Sequence, residues 1–383
     1  MSRRAAAAAA AVVLVVATAA AVFLMWPGGE RAASDIEATV TVREALAEER
    51  AGFARALAPR RLSFPEDHGP HADFRTEWWY YTGNLRTPAG RHVGFQLTFF
   101  RVALAPEAEP RASAWGTRQL YVGHFALTDT ANRRFHAASR VSRAALGLAG
   151  ARAAPFRVWV EGWSAEGDGA SARLRASDGD VELDLTVSAA KPPVLQGDRG
   201  LSRKGPEPGN ASLYYSFTRM PARGVVRVGG EILEVAGEAW MDREWSTSAL
   251  GTDVEGWDWF AVQLEDGREL MVYLLRRRDG GVDPFSAGSL VAADGTVQRL
   301  DAGDVTIETL GHWTSPRSGV RYPARWRLTV PSAELRLELT PRLADQELLV
   351  GTRYWEGAVT AAGSAGPWSV RGHGYVELVG YGE

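Results

Sequence analysis

In residues 237–246, Glu238, Trp240, Asp242 and Glu244 alternate with Ala239, Met241, Arg243 and Trp245. Alternate residues of an extended strand share a side, so three carboxylates and an indole would line one face. Carboxylates two residues apart on an apolar wall repel each other. That raises the pKa of one and makes it a usable proton donor. The other reading is that Arg243 and further arginines neutralise them as structural ion pairs. A second group is Tyr354-Trp355-Glu356 followed by His373, Tyr375 and Glu377. By the same alternation Tyr354 and Glu356 share a side, as do His373, Tyr375 and Glu377. A third is Asp67, His68 and His71 ahead of Glu77-Trp78-Trp79-Tyr80-Tyr81, with His92 and His124 further on. The histidine spacing matches no metal signature, so no metal and no cofactor is expected. His68 and Glu77 read as cavity groups or loop anchors.

These groups need elements to hold them. From Leu62 onward the apolar period is two: Val93, Phe95, Leu97 and Phe99; Val181, Leu183, Leu185 and Val187; Leu335, Leu337 and Leu339. Short alternating runs separated by Gly and Pro turns predict antiparallel strands, and an all-β sandwich or barrel. A repeat is present. Residues 78–85 lead through Gly90-Arg91 into an apolar strand, and Trp257-Asp258-Trp259-Phe260 leads through Gly267-Arg268 into residues 270–275. Two β-domains of similar design are expected, at residues 62–225 and 226–383. A two-residue turn at Asp266-Gly267 would set Phe260 opposite Tyr273, and place Asp258 and Tyr273 on one otherwise apolar face.

Ahead of the body, Ser2-Arg3-Arg4 precedes an apolar run from Ala5 to Trp26. Residues 1–30 are expected to be a signal peptide or membrane anchor that leaves the body in the periplasm or otherwise outside the cytoplasm. Residues 31–61 read as a helical spacer, with a helix over 36–57 whose acids come early and arginines late. Net charge is −3 and there is no cysteine. The charge argues against nucleic-acid binding, and the missing cysteine excludes disulfides and thiolate metal sites.

The chain resembles the AttH/CrtC family. The matching elements are Asp67-His68-Gly69-Pro70-His71, residues 76–85, Asp242-Arg243-Glu244-Trp245-Ser246, residues 256–260, Tyr354-Trp355-Glu356-Gly357 and residues 374–378. The resemblance implies two lipocalin-like β-barrel domains. It also implies one of two roles: an exported component accompanying ABC transporters that move hydrophobic cargo, or carotenoid 1,2-hydratase, which adds water across an isoprenoid double bond. Asp242, Trp245, Asp258 and Tyr273 occupy positions that suit the second role. Arg243 stands where that branch is expected to carry His, and Leu274 and Leu275 where it is expected to carry Asp.

The expectation is therefore an exported monomer that binds a hydrophobic small molecule or lipid and serves an inner-membrane ABC transporter permease. Glu77, Trp78, Trp79, Tyr81, Glu244, Trp245, Trp257, Trp259, Tyr354, Trp355, Glu356, Tyr375 and Glu377 are the candidate binding residues. The alternative is an acid-catalysed hydratase or isomerase of an isoprenoid, with Asp242, Asp258 and Tyr273 as catalytic candidates. A third reading, a carbohydrate-active β-sandwich, requires exposed planar tryptophans beside the acids.

Overall fold

The computed structural model describes residues 51–106, 113–247, 250–251 and 253–382. The expected export segment and most of the expected 36–57 helix lie outside these residues. Residues 51–57 are not helical; they form a turn and irregular chain, with Gly52 at φ +90°. Apart from the single 3-10 turns Glu66–His68 and Pro331–Ala333, the regular structure described is all strand.

Two curled antiparallel sheets carry it. The first has thirteen strands, from Thr76 to Ser246, and the second ten, from Val254 to Val379. The predicted alternation is present: Val181, Leu183, Leu185 and Val187 are fully buried, while Glu182 and Thr186 between them are exposed. The first sheet curls enough for Trp163 from its far half to pack edge-on against Phe125, with ring centroids 5.8 Å apart. The sheets part between Ser246 and Val254. The boundary expected at 225–226 falls inside the Ala211–Val228 strand, which turns back into Glu231–Ser246 within the first sheet.

The repeat in the sequence is a repeat in topology. Thr76–Arg86 lies between the hairpin strand His92–Ala103 and the late strand Glu231–Ser246, which pairs on with Ala211–Val228. Val254–Leu264 lies likewise between Glu269–Arg277 and Trp368–Val379, which pairs on with Arg353–Ala365. Each of the two lead strands splits its side chains between a barrel interior and the other sheet. Trp79, Tyr81 and Leu85 enter the first core, and Phe260, Val262 and Leu264 the second. Tyr80, Trp240, Trp259, Tyr273 and Tyr375 form a separate apolar cluster between the sheets.

The hairpin register differs from the sequence expectation. Leu264 and Arg268 close a three-residue loop with Gly267 at φ +87°, and Trp259, not Phe260, pairs with Tyr273. A slip of one residue moves a side chain to the opposite face. Tyr273 therefore faces the other sheet beside Trp259, whereas Asp258 turns away from it.

Polar contacts tie the sheets together around the cluster. The Gln263 amide donates to the carbonyls of Thr218 (2.8 Å) and Ala239 (2.9 Å), and the Asn84 amide to that of Gly374 (3.1 Å). A bulge sets Thr218 and Arg219 against Trp240 and frees Arg219 to reach Glu269 at 2.5 Å and Glu238 at 2.6 Å. Close approach matters at Gly94, where a Cβ would meet the Ala358 Cβ at 2.8 Å and the Tyr375 hydroxyl at 3.1 Å. Gly94→Val should force the sheets apart and cost about 1–3 kcal/mol. The reading is a lowered urea midpoint; an unchanged midpoint would show that this contact is not tight.

Candidate functional site

The faces that meet between the sheets leave a cavity of about 80 Å³. Its walls are Trp78, Tyr80, Phe100, Tyr214, Leu250, Trp257, Trp259, Tyr273 and Leu275; its polar groups are Asp242, Glu244, Glu377 and Lys204. Trp78 and Trp257 stay partly accessible, while Trp259 is buried.

Alternation places the acids. Asp242 and Glu244 point out of the first barrel because Met241, Arg243 and Trp245 point in. Asp242 pairs across strands with Tyr80 on one side and Ser216 on the other. In the second repeat Glu377 pairs with Trp259 and Glu356. Asp242 and Glu377 are thus repeat-related acids meeting at one cavity.

Asp242 accepts hydrogen bonds from the Ser216 hydroxyl (2.5 Å) and the Trp240 indole (2.8 Å). Burial nevertheless pushes its carboxyl up to about 7, against the Ser216, Trp240 and Tyr214 donors, with Glu244 adding to the rise. Burial also raises Glu377 to about 7, opposed by the Trp257 indole at 3.2 Å and reinforced by Asp242 and Glu244. Glu356 lies behind Glu377 and is held well above the usual range by burial and then by Glu377. The Tyr80 and Tyr354 hydroxyls beside it oppose that rise without cancelling it. Near neutral pH these carboxyls hold protons that ordinary surface acids have lost.

Lys204 is the cavity's cation. Its ammonium lies 3.3 Å from Glu244 and 3.9 Å from the Tyr273 ring centroid. Burial pulls its pKa down, but Glu244 and Tyr273 outweigh burial and leave it raised. The Tyr273 hydroxyl is fixed by Ser202 at 3.0 Å.

Of the residues singled out in the sequence, Asp242, Tyr273, Trp78, Glu244, Trp257, Trp259 and Glu377 line this cavity. Glu356 and Tyr375 stand on the same inter-sheet faces without lining it. Tyr354 also faces the first sheet, sharing a 2.8 Å hydrogen bond with His124. The rest are elsewhere. Asp258 is buried against Arg276 (2.9 Å) and the Tyr381 hydroxyl (3.0 Å). Trp79, Tyr81 and Trp245 belong to the first barrel core and Trp355 to the second. Glu77 is enclosed between Arg101 and Arg243, with His71 above it. His68 is a loop anchor bonded to Tyr215 at 2.6 Å, and burial lowers its pKa to about 4, which keeps it neutral. The exposed tryptophans Trp115 and Trp368 do not line the cavity.

The sequence candidates did not include the lining residues Tyr80, Phe100, Lys204, Tyr214, Leu250 and Leu275. Tyr80 was marked by its alternation with Trp78. Lys204 also had a signal, because the chain has only two lysines, Lys191 and Lys204, among many arginines. Lys204 is buried and Lys191 half-buried, each beside a carboxylate, Lys191 at 2.8 Å from Glu269.

Comparison with known proteins agrees with this architecture. The AttH-like family model matches residues 55–381. A crystal structure of a Nitrosomonas europaea protein provisionally named AttH is 34% identical, with a TM-score of 0.76 over 86% of this chain and 100% of that one. Kievitone hydratase of Nectria haematococca shares the fold at 17% identity and a TM-score of 0.66, over 88% of this chain and 98% of that one. No curated protein sequence matches. The resemblance read from the motifs thus holds across the body, and the chain belongs to the AttH-like family.

Proposed function

We propose that the protein binds an apolar or amphipathic small molecule between its two sheets. The observation that carries this is the cavity itself: aromatic side chains from both repeats form its walls, and repeat-related acids, Asp242 and Glu377, line it with them. Burying carboxyls without a guanidinium or ammonium partner opposes folding, and such groups concentrate at functional sites. The apolar run of residues 5–26 after Arg3-Arg4 supports binding outside the cytoplasm, and the family resemblance supports an inner-membrane ABC transporter as donor or acceptor of the ligand. Titrating the protein with farnesol while following tryptophan fluorescence tests the binding. Saturable quenching, lost in Trp259→Ala, is the expected result. No response to farnesol or to other isoprenoid and lipid ligands, and no ligand extracted from the purified protein, would refute it.

A second reading has its own observation. Asp242, with a carboxyl pushed up to about 7 inside an aromatic cavity, is suited to protonate an alkene. The aromatic walls would stabilise the resulting carbocation, and water would complete a hydration. Kievitone hydratase has the same fold. Incubating an isoprenoid alkene in ¹⁸O-labelled water should then yield labelled alcohol with the native protein and none with Asp242→Asn. Equal product from both proteins would remove Asp242 from the reaction.

A further inference from the structure

The cavity already shows how it treats one cation. At one end the Lys204 ammonium sits 3.3 Å from Glu244, 3.9 Å from the centroid of Tyr273 and 5.4 Å from that of Tyr214. A carboxylate and two aromatic faces make up its surroundings. Asp242 also acts on this ammonium through space, but among the described residues neither Asp242 nor Glu377 has a cation of its own within ion-pair distance. Asp242 and Glu377 face Trp78, Tyr80, Trp257 and Trp259, and the lining contains no arginine and no second lysine. Tyr80, itself 6% exposed, turns its buried hydroxyl toward the Glu356 carboxyl behind Glu377, and neither has a cation beside it among the described residues. Four acids and one committed lysine make the local charge balance acidic whenever these carboxyls ionise.

Resting on the reading of this cavity as a ligand site, we infer that its ligand carries an organic ammonium group, held between Trp78, Trp257 and Trp259 and the acids Asp242 and Glu377. Aromatic faces attract a cation through the ring quadrupole, most strongly when it is desolvated. An anionic head would be repelled by the same acids. The partly accessible edges of Trp78 and Trp257 provide the way out for an apolar tail.

Binding of this kind moves protons. A cation beside Asp242 or Glu377 favours their charged forms, so it must displace protons that burial retains in the free protein. The other titratable groups facing these two acids are Glu244, Lys204, Tyr80, Tyr214, Tyr273, Tyr354 and Glu356. Affinity therefore rises with pH up to the free-state pKa and levels off above it. The slope is about tenfold per pH unit for each proton released.

The test is calorimetric titration of the full-length protein with octyltrimethylammonium, octanol and octyl sulfate. Each is run at about pH 6 and pH 8, in phosphate and in a zwitterionic sulfonate buffer that holds that pH, whose ionisation heats differ. The expected result is that at pH 8 the ammonium binds at least about tenfold more tightly than octanol. It should weaken on acidification and release protons on binding, and octyl sulfate should bind least. Glu377→Gln should bring the ammonium-to-octanol affinity ratio toward one; the native protein's own ratio and pH dependence decide the matter if that variant does not fold. Equal binding of octanol and ammonium, or an ammonium affinity independent of pH, would overturn the inference and leave the cavity as a ligand site. Failure of all three to bind would overturn both.

Discussion

Glu77→Gln is expected to destabilise the protein by about 3–5 kcal/mol, because it leaves two buried guanidinium groups facing a neutral amide. Arg101 and Arg243 have fully buried side chains and both are ion-paired to Glu77. They also hold the 69–74 loop, through Arg101 to the carbonyls of His71 (2.9 Å) and Phe74 (2.7 Å) and Arg243 to that of Gly69 (2.6 Å). Burial alone would raise the Glu77 pKa, but Arg243 and Arg101 overcome it and hold the carboxyl far below the usual range. A depressed folded-state pKa contributes stability above the unfolded value, near 4.5, and that contribution fades as the solution is acidified below it. The gap between native protein and variant, measured by urea unfolding, should therefore be widest near neutral pH and narrow in acid. A gap under about 1 kcal/mol at pH 7 would mean that the pair is effectively solvated. The sequence alone suggested that Glu77 contacts ligand; this structure makes it a keystone of the first barrel.

Asp242→Asn should act in the opposite direction and with the opposite pH dependence. The folded-state pKa of Asp242 is raised from 3.8 to about 7. Its stabilising contribution is therefore complete below the unfolded value and lost as pH rises through about 7. An asparagine can still accept from Ser216 and Trp240 but never has to ionise. The variant should match the native protein near pH 4 and exceed it at pH 8 by on the order of 2–4 kcal/mol, the lower figure applying if solvent enters the cavity. Paired urea titrations at the two pH values measure this directly. A difference that does not change with pH would show that Asp242 is already ionised in the folded protein.

The fold was legible because its strands alternate cleanly where one face is exposed, as at Val181–Ser188. The repeat was legible because both lead strands carry aromatics at matching positions. The site was only half legible, for a physical reason. In Thr76–Arg86 and Glu231–Ser246 nearly every residue near the cavity is buried, since one face fills a barrel and the other meets a second sheet. Periodicity separates Trp78 from Trp79 and Asp242 from Arg243, but it does not say which set faces the partner. That is why Trp79, Tyr81, Glu77 and Trp245 entered the candidate list beside Trp78 and Glu244. Tyr273 was set on the Asp258 face by one residue of loop length, which no apolar pattern reports. Glu377 was among the candidate binding residues, but its relation to Asp242 needs the strand order of both sheets.

The proposed ligand site lies between the sheets and not inside either barrel. A crystal structure of the protein soaked with geraniol, an amphipathic isoprenoid alcohol, tests this placement most directly. The expected result is density for the chain against Trp78, Trp257 and Trp259, with the hydroxyl within hydrogen-bonding distance of Asp242 or Glu377. Density inside a barrel instead, against Trp79 and Tyr81 or against Trp326 and Trp355, would contradict the account.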